Sequence, residues 1–316
     1  MPRNSAHIAA ALVACALAAA PASAETLRVG KAVVNFGFVP VDVGVAQGIF
    51  KKLGLELDEY DFTGGTKLQQ ALNASSIDIA LSGGTDLAFV VKGAPEIAVG
   101  SITSSPGFLG ITVGADSGIT TLDGLKGKKI GVTGTSSLTY WLVEELNRVK
   151  GWGNDGATPV AIGGATAIQN AALKTHQVDG FLANTGAGFW LEQQGTARFL
   201  APTSAYEGNF ELFTIFASTA IIDKDADGVR RFLKGWYQSI AYMRGHKAEA
   251  VAVTSKITGF SAAVESREYD LLMKDFSTDG RFNPRALERL QTIFADLKVL
   301  DRPVDFAKLT TEKYLP

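Results

Sequence analysis

Five short stretches collect the residue types that hold small polar ligands. They are Asn35-Phe36-Gly37-Phe38, Thr63-Gly64-Gly65-Thr66, Ser82-Gly83-Gly84-Thr85, Thr133-Gly134-Thr135-Ser136-Ser137 and Asn184-Thr185-Gly186. Glycine lets the backbone approach closely, and hydroxyls and amides supply adjustable hydrogen bonds. Four of the five run into helical patterns. At such helix starts, unpaired N–H groups and the positive end of the dipole favour an anion. Ser and Thr at helix starts are also ordinary caps, so any one stretch alone reads either way. The ligand reading requires several of them to converge. On that reading the candidate contacts are Asn35, Gly64, Gly65, Thr66, Ser82, Gly83, Thr85, Thr133, Thr135, Ser136, Ser137, Asn184 and Thr185. Phe36, Phe38 and Tyr140 form either an apolar wall or core. Lys67, at a helix start, could pair with an acidic ligand group or stay solvated.

Catalytic patterns fail on context. Gly151-Trp152-Gly153-Asn154-Asp155-Gly156 fits G-x-G-x-x-G but follows a helical stretch, whereas a dinucleotide fingerprint follows a strand. Asp223 to Gly228 fits half an EF-hand loop, yet position twelve is Lys234 and not the glutamate calcium needs. Asp223 to Asp227 read better as caps on the helix that follows. No Walker loop, G-x-S-x-G or H-E-x-x-H occurs. His176 and His246 have no nucleophile in view. Asp78 and Asp179 sit at helix-to-strand turns and read as structural, not as an acid/base couple. No catalytic residue, cofactor or metal is expected.

These stretches need elements to aim them, and the pattern supplies strands alternating with helices. Leu27–Val34, Leu55–Tyr60 and Ile77–Leu81 read as strands, with Val41, Val45 and Ile49 at helical spacing and a further helix carrying Leu68 and Leu72. The order then repeats with strands at Lys129–Thr133, Pro159–Ile162 and Val178–Leu182. The clearest echo is Ala71-Leu72…Ile77-Asp78 against Ala172-Leu173…Val178-Asp179, each after a Gly-Gly turn. Two apolar segments, Phe108–Val113 and Leu212–Ala217, lack the composition of linkers and read as strands that carry the chain between lobes. Helices at about 226–256, 262–276 and 284–297 should pack back on the first unit. The expected fold is α/β, with two parallel-sheet lobes and a cleft between them that closes by a hinge. Lobe 1 would comprise residues 25–108 plus 214–316, and lobe 2 residues 109–213. In parallel sheets ligands bind beyond the carboxyl ends of the strands, where the five stretches fall.

Composition narrows the classes further. The 316 residues are 46% hydrophobic and 20% charged, with 30 basic against 32 acidic side chains and a net charge of −2. That is a globular composition without the basic excess of a nucleic-acid binder. The one cysteine excludes a disulfide scaffold. Arg3, an apolar run from Ile8 to Ala20 and Ala22-Ser23-Ala24 form a signal-peptide pattern cut before Glu25. The run is shorter than the ~20 residues of a membrane-spanning helix. Leu12-Val13-Ala14-Cys15 also resembles a lipoprotein box, although soluble export with loss of Cys15 fits the full cleavage site better.

The chain resembles the periplasmic solute-binding proteins of ABC importers for nitrate, sulfonate and taurine, a group related to thiamine-pyrimidine precursor binders. The likeness lies in Val45-Ala46-Gln47-Gly48-Ile49-Phe50 with Gly54-Leu55, in Gly64-Gly65…Ala71-Leu72…Asp78-Ile79-Ala80, in the segment Leu122 to Val132, and in Ala172-Leu173…Val178-Asp179-Gly180. The resemblance implies capture of a small organic anion by a monomer, and delivery to an ABC permease. It is specific to the fold and weakly specific for substrate. Asn184-Thr185-Gly186-Ala187-Gly188 departs from the acidic, aromatic and proline cluster that sulfonate and pyrimidine binders often carry there. A related fungal pyrimidine-synthesising enzyme has a cysteine cluster that this chain lacks. A secreted enzyme and a sensor-coupled binding module on the same fold are the alternatives.

Overall fold

A computed structural model describes residues 25–300 and 302–316. The expected leader, its expected cleavage site and Cys15 lie outside the described residues. The chain begins with β1 (Glu25–Lys31), α1 (Pro40–Ala46), α2 (Ile49–Lys52), β2 (Leu55–Asp61), α3 (Gly65–Asn73), β3 (Ile79–Gly83), α4 (Leu87–Val91) and β4 (Glu96–Thr103). It continues with β5 (Leu109–Gly114), β6 (Lys129–Val132), α5 (Leu138–Lys150), β7 (Thr158–Ala161), α6 (Thr166–Lys174), β8 (Gly180–Asn184), α7 (Thr185–Gln193) and β9 (Ala197–Pro202). It ends with β10 (Phe213–Ser218), α8 (Thr219–Gly245), α9 (Lys247–Thr258), α10 (Ala262–Leu272) and α11 (Pro284–Asp296).

The strands form two sheets of matching order, β2-β1-β3-β10-β4 and β7-β6-β8-β5-β9. The two crossover segments are strands, as their apolar runs predict. Each enters its sheet against the grain: β10 pairs antiparallel with β3 and β4, and β5 with β8 and β9. The sheets are therefore mixed, four strands one way and one the other, not wholly parallel. A strand arriving from the opposite lobe enters at the end where the other strands finish and runs back toward the end where they begin.

The repeated aspartates explain the shared architecture. Asp78 Oδ2 accepts from the Arg28 backbone N–H at 2.9 Å, and Asp179 Oδ2 accepts from the Lys129 backbone N–H at 2.8 Å. Each aspartate also donates its own N–H to the same partner's carbonyl at 2.8 Å. Both therefore brace the first parallel strand of their sheet, by charge-assisted bonds to backbone. Asp78 adds a two-toothed pair with the Arg28 guanidinium at 2.7 and 3.0 Å.

The first sheet carries the larger share of the core. Phe50 stacks on Phe232 at 5.6 Å, and Trp236 is fully buried beside them in the same cluster. Burying each such side chain contributes about 1.5–3 kcal/mol. At the end of β1, buried Lys31 reaches Asp42 at 2.6 Å, Glu59 at 3.2 Å and Asp61 at 3.3 Å.

The C-terminal helices depart from expectation in two ways. The long helix starts as predicted near Ala226. A preceding turn joins it across a kink at Asp225, whose Oδ1 caps Gly228 N at 2.8 Å. It then breaks at His246 (φ −135°, ψ 59°) and resumes as α9. Furthermore, only α8 and α9 pack wholly on the first half, against α1. Helix α10 also packs on α7, and α11 on α5. The tail thus straddles both halves instead of folding back on the first.

Candidate functional site

The carboxyl ends of β1, β3, β6 and β8 point to one region between the sheets. A cavity of about 300 Å³ lies there. Its wall takes Ala32 and Asn35 from beyond β1, Ser82, Gly83 and Thr85 from the end of β3, and Gly65 from the tip of α3. The second half supplies Thr133, Gly164, Ala183 and Asn184 from the matching places. Phe38, Leu109, Leu138, Leu212 and Phe213 add an apolar side. Asn35 Nδ2 reaches Asn184 Oδ1 across the gap at 3.4 Å, so the two halves touch directly at the cavity.

Eight of the sequence-predicted residues meet at this wall: Asn35, Phe38, Gly65, Ser82, Gly83, Thr85, Thr133 and Asn184. The rest lie elsewhere. Phe36 is core, 5.9 Å from Phe276 and edge-on to Tyr269. Gly64 shapes the turn into α3 with φ +127°, a value open to glycine, and its N–H donates to Ala32 O at 2.8 Å. Thr66 and Ser137 face a neighbouring cavity of about 280 Å³ that also includes Leu297 and Val299. Thr135, Ser136 and Tyr140 border an outer cavity of about 430 Å³ between α5 and the end of α11. It is the larger of the two in volume, but no strand residue lines it and it takes its wall from α5, the loop before it and the end of α11. Thr185 is completely buried, and its hydroxyl donates to Glu268 at 2.6 Å. Lys67 is bonded to Thr63 at 3.1 Å on the exposed side and does not line the cavity.

The helix tips differ in what satisfies them. At α5, Ser137 Oγ caps Tyr140 N at 3.2 Å. Around it, Thr139 Oγ1 takes the Thr133 N–H and shares hydroxyl bonds with Thr133 and Ser137, all at 2.9 Å. At α7, the Glu268 carboxyl accepts from Thr185 Oγ1 at 2.6 Å and lies hard against Gly186. At α3, the Asp86 carboxyl lies hard against Gly65. Only α6 of these four has neither a side-chain cap nor a carboxyl at its tip among the described residues. Its preceding Gly164 lines the cavity. The open N–H groups of that tip are where an anion gains most.

Residues the sequence did not single out complete the wall. They include Asp86, Thr139 and Gln169. Asp86 follows Ser82-Gly83-Gly84-Thr85 directly, so a longer reading of that stretch would have included it. Gln169 lies on the inward side of α6, where Ala172 and Leu173 mark the buried face, and that helical spacing was its signal. Burial pushes the Asp86 carboxyl up, with Ser82 and Gln69 drawing it partly back. Behind it, Gln69 lies between Asp86 and Glu96. One amide orientation donates to Asp86 Oδ2 at 3.4 Å; the reversed one donates to Glu96 at 2.6 and 3.1 Å and fits the shorter contacts. Burial, then the nearby Asp86 charge, raises Glu96 to about 8. No group of three acidic, histidine or cysteine residues that could hold a metal occurs among the described residues. No described helix is long and apolar enough to cross a membrane.

The family model described as NMT1/THI5 like matches residues 35–250, most of the chain and both halves of the wall. The chain belongs to the NMT1/THI5-like family. A protein of Brucella abortus named as a candidate binding protein is 25% identical over 298 residues, covering 88% of each chain. Among solved structures, the alkanesulfonate-binding protein SsuA of Xanthomonas axonopodis pv. citri, bound to MOPS, superposes with a TM-score of 0.72 at 21% identity, over 92% of this chain and 99% of that one. The periplasmic aliphatic sulphonate binding protein SsuA of Escherichia coli gives 0.76 at 20%, over 91% and 92%. The desulfurization enzyme DSZB shares the architecture too, with a TM-score of 0.68 at 16% over 92% of this chain and 97% of that one. The NMT1/THI5-like chain thus has the periplasmic-binding-protein fold.

Proposed function

We propose that this NMT1/THI5-like protein is the solute-binding component of an ABC importer. It works in the periplasm, captures a small organic anion of the sulfonate or carboxylate class, and passes it to a membrane permease. One observation carries the reading. A single cavity of about 300 Å³ is walled by equivalent strand ends from both sheets. A solute there contacts both halves, so it favours the arrangement in which they meet. The turns at 104–108 and 203–212 are the two connections about which lobes 25–108 plus 214–316 and 109–213 would close. The anionic group sits at the uncapped α6 tip beside Gly164, with Thr133 and Asn184 adding donors. The names of the Brucella relative and the sulfonate-binding neighbours support the same reading.

A thermal-shift screen of alkanesulfonates, carboxylates and nitrate tests it. A ligand at a hundred times its Kd adds about 2.7 kcal/mol of stability, a clear rise in melting temperature. A protein whose melting temperature no small anion raises does not perform this function. Turnover of a bound compound by the purified protein would favour the enzyme reading.

A further inference from the structure

The charge of the cavity wall poses a problem for an anion. Among the described residues lining it there is no lysine or arginine, and Asp86 is the one ionisable side chain. An ionised Asp86 would repel the anion proposed to sit there. The answer lies behind the wall. Gln69 of α3 is completely buried, and its amide stands between Asp86 and Glu96, the first residue of β4 and itself buried. An amide donates at its nitrogen and accepts at its oxygen, whereas an ionised carboxyl only accepts. Whichever way the Gln69 amide lies, its oxygen faces one of the two acids, Asp86 at 3.4 Å or Glu96 at 2.6 and 3.1 Å. The acid it faces must carry a proton, because two buried acceptors in contact repel and leave each other unsatisfied. No basic group among the described residues offsets either charge: burial raises Asp86, and burial with the Asp86 charge raises Glu96 to about 8. The charged groups of the surrounding elements are otherwise engaged or turned aside. Lys67 of α3 bonds Thr63, Lys92 of α4 lines the adjoining cavity, and Glu211 lies against Gly84 and takes the Thr214 hydroxyl. Arg289 of α11 is paired with Glu145 and Glu207, and Arg231 of α8 with Glu25 and Asp227.

We infer that Asp86 and Glu96 share one proton across the Gln69 amide, and that Asp86 holds this proton when the cavity takes an anion. The inference rests on the proposed reading of this cavity as the anion site, and it adds a proton to the capture step. Gln69 and Glu96 are positioning residues. The proton lies between Asp86 Oδ2 and the Gln69 oxygen, while the Gln69 nitrogen donates to the Glu96 carboxylate. Asp86 is then neutral, and the α6 tip, Thr133 and Asn184 hold the anion without a like charge beside it. The two acids titrate as one unit. Loss of the proton to solvent leaves both ionised, and the wall turns against the anion. Capture at high pH therefore draws a proton back from solvent with each anion.

Titration calorimetry with ethanesulfonate, acetate and nitrate tests this, since all three stay ionised between pH 6 and pH 9. Each is run at both pH values, in two buffers of different ionisation enthalpy, on the unmodified chain and on Asp86→Asn. The expected result for the unmodified chain is about tenfold weaker binding at pH 9, because a unit titrating near 8 is about ten to one ionised there. About one proton should be taken up per anion at pH 9 and almost none at pH 6. Asp86→Asn is neutral throughout and should bind at both pH values as the unmodified chain does at pH 6. Glu96→Gln should move the loss of affinity to lower pH, because no neighbouring carboxylate then holds the proton on Asp86. Equal affinity at the two pH values without proton uptake overturns the inference and leaves the anion-capture reading standing. The same fall in Asp86→Asn, or loss of binding by a folded Asp86→Asn at pH 6, overturns it as well. Failure of every probe to bind the unmodified chain at pH 6 overturns both readings. The proton count on the unmodified chain needs no variant, so misfolding of Asp86→Asn cannot hide the answer.

Discussion

The turns that follow β3 and β8 occupy the same place in the two sheets, and each holds a carboxyl, half-buried after β3 and buried after β8. After β3 it is local: Asp86 sits a few residues beyond the strand, takes the Ser82 hydroxyl and faces the cavity. After β8 the matching position is Ala187, and the carboxyl is imported from α10. Glu268 takes Thr185 Oγ1, lies against Gly186 and is buried. Each acid accepts one hydroxyl bond, but Asp86 lines the cavity and Glu268 is enclosed between α7 and α10. The difference separates a residue that joins α7 to α10 from one that borders the proposed solute cavity.

The sharpest way to break this comparison is to remove Glu268. Glu268→Ala leaves the buried Thr185 hydroxyl without its partner and opens a gap at the junction of α7 and α10, and should cost about 3 kcal/mol in chemical denaturation. A loss comparable to that of a surface substitution would show the junction to be incidental. The same residue sets a pH dependence. Burial, with Glu265 nearby, raises its carboxyl from 4.5 to about 8. The folded chain then holds a proton that the unfolded chain has released above about 4.5. This contribution is full below about pH 4.5 and is lost as pH rises through about 8, so stability falls across that window. Glu96 and Glu211, also raised to about 8, act in the same direction. Glu268→Gln cannot ionise and should flatten the decline in melting temperature between pH 5 and 8.5. An unchanged slope would place the proton elsewhere.

A second junction, on the other flank, offers a smaller test. Arg289 of α11 pairs with Glu145 of α5 at 2.8 Å and with Glu207 of the second crossing at 2.7 Å. Nearby, Trp141 Nε1 donates to Asp296 at 2.8 Å. Arg289→Ala leaves two adjacent buried carboxylates facing one another and should cost about 2 kcal/mol. Arg289→Lys should recover part of it by charge without the guanidinium fork. Smaller still, Ser137→Ala removes the α5 cap and should cost about 1 kcal/mol without changing solute affinity more than a few-fold. The smallest stability effect belongs to Asp86→Asn, within about 1 kcal/mol of the unmodified chain, because only one of its oxygens is engaged. Equal losses at 86 and 268 would erase the distinction between the two turns.

Much of this arrangement was legible in the residues. Gly-Gly turns and the Leu-to-Asp echo gave the repeated strand-helix order. Apolar runs at Phe108–Val113 and Leu212–Ala217 gave the crossings, and the strand-end loops gave half of the cavity wall. Local spacing could not show which tips were already filled. Thr185 looks like Ser82 in sequence, and only a glutamate 83 residues away decides that its hydroxyl is spent. The helices α10 and α11 have amphipathic faces whose partner the pattern does not name, and they chose both halves. Phe36 and Phe38 are near neighbours in one loop, yet one packs on Tyr269 and Phe276 while the other borders the cavity and packs on Phe213 at 4.8 Å.

The central claim is that solute is held in the cavity between the strand ends and not in the larger one between α5 and the end of α11. Titration calorimetry of two blocking variants tests it directly, with the best binder from the thermal-shift screen. Thr85→Trp fills the inner cavity, and Thr135→Trp fills the outer one. The account predicts that Thr85→Trp abolishes binding at an unchanged melting temperature while Thr135→Trp binds as the unmodified chain does. Binding retained by Thr85→Trp and lost by Thr135→Trp would contradict it.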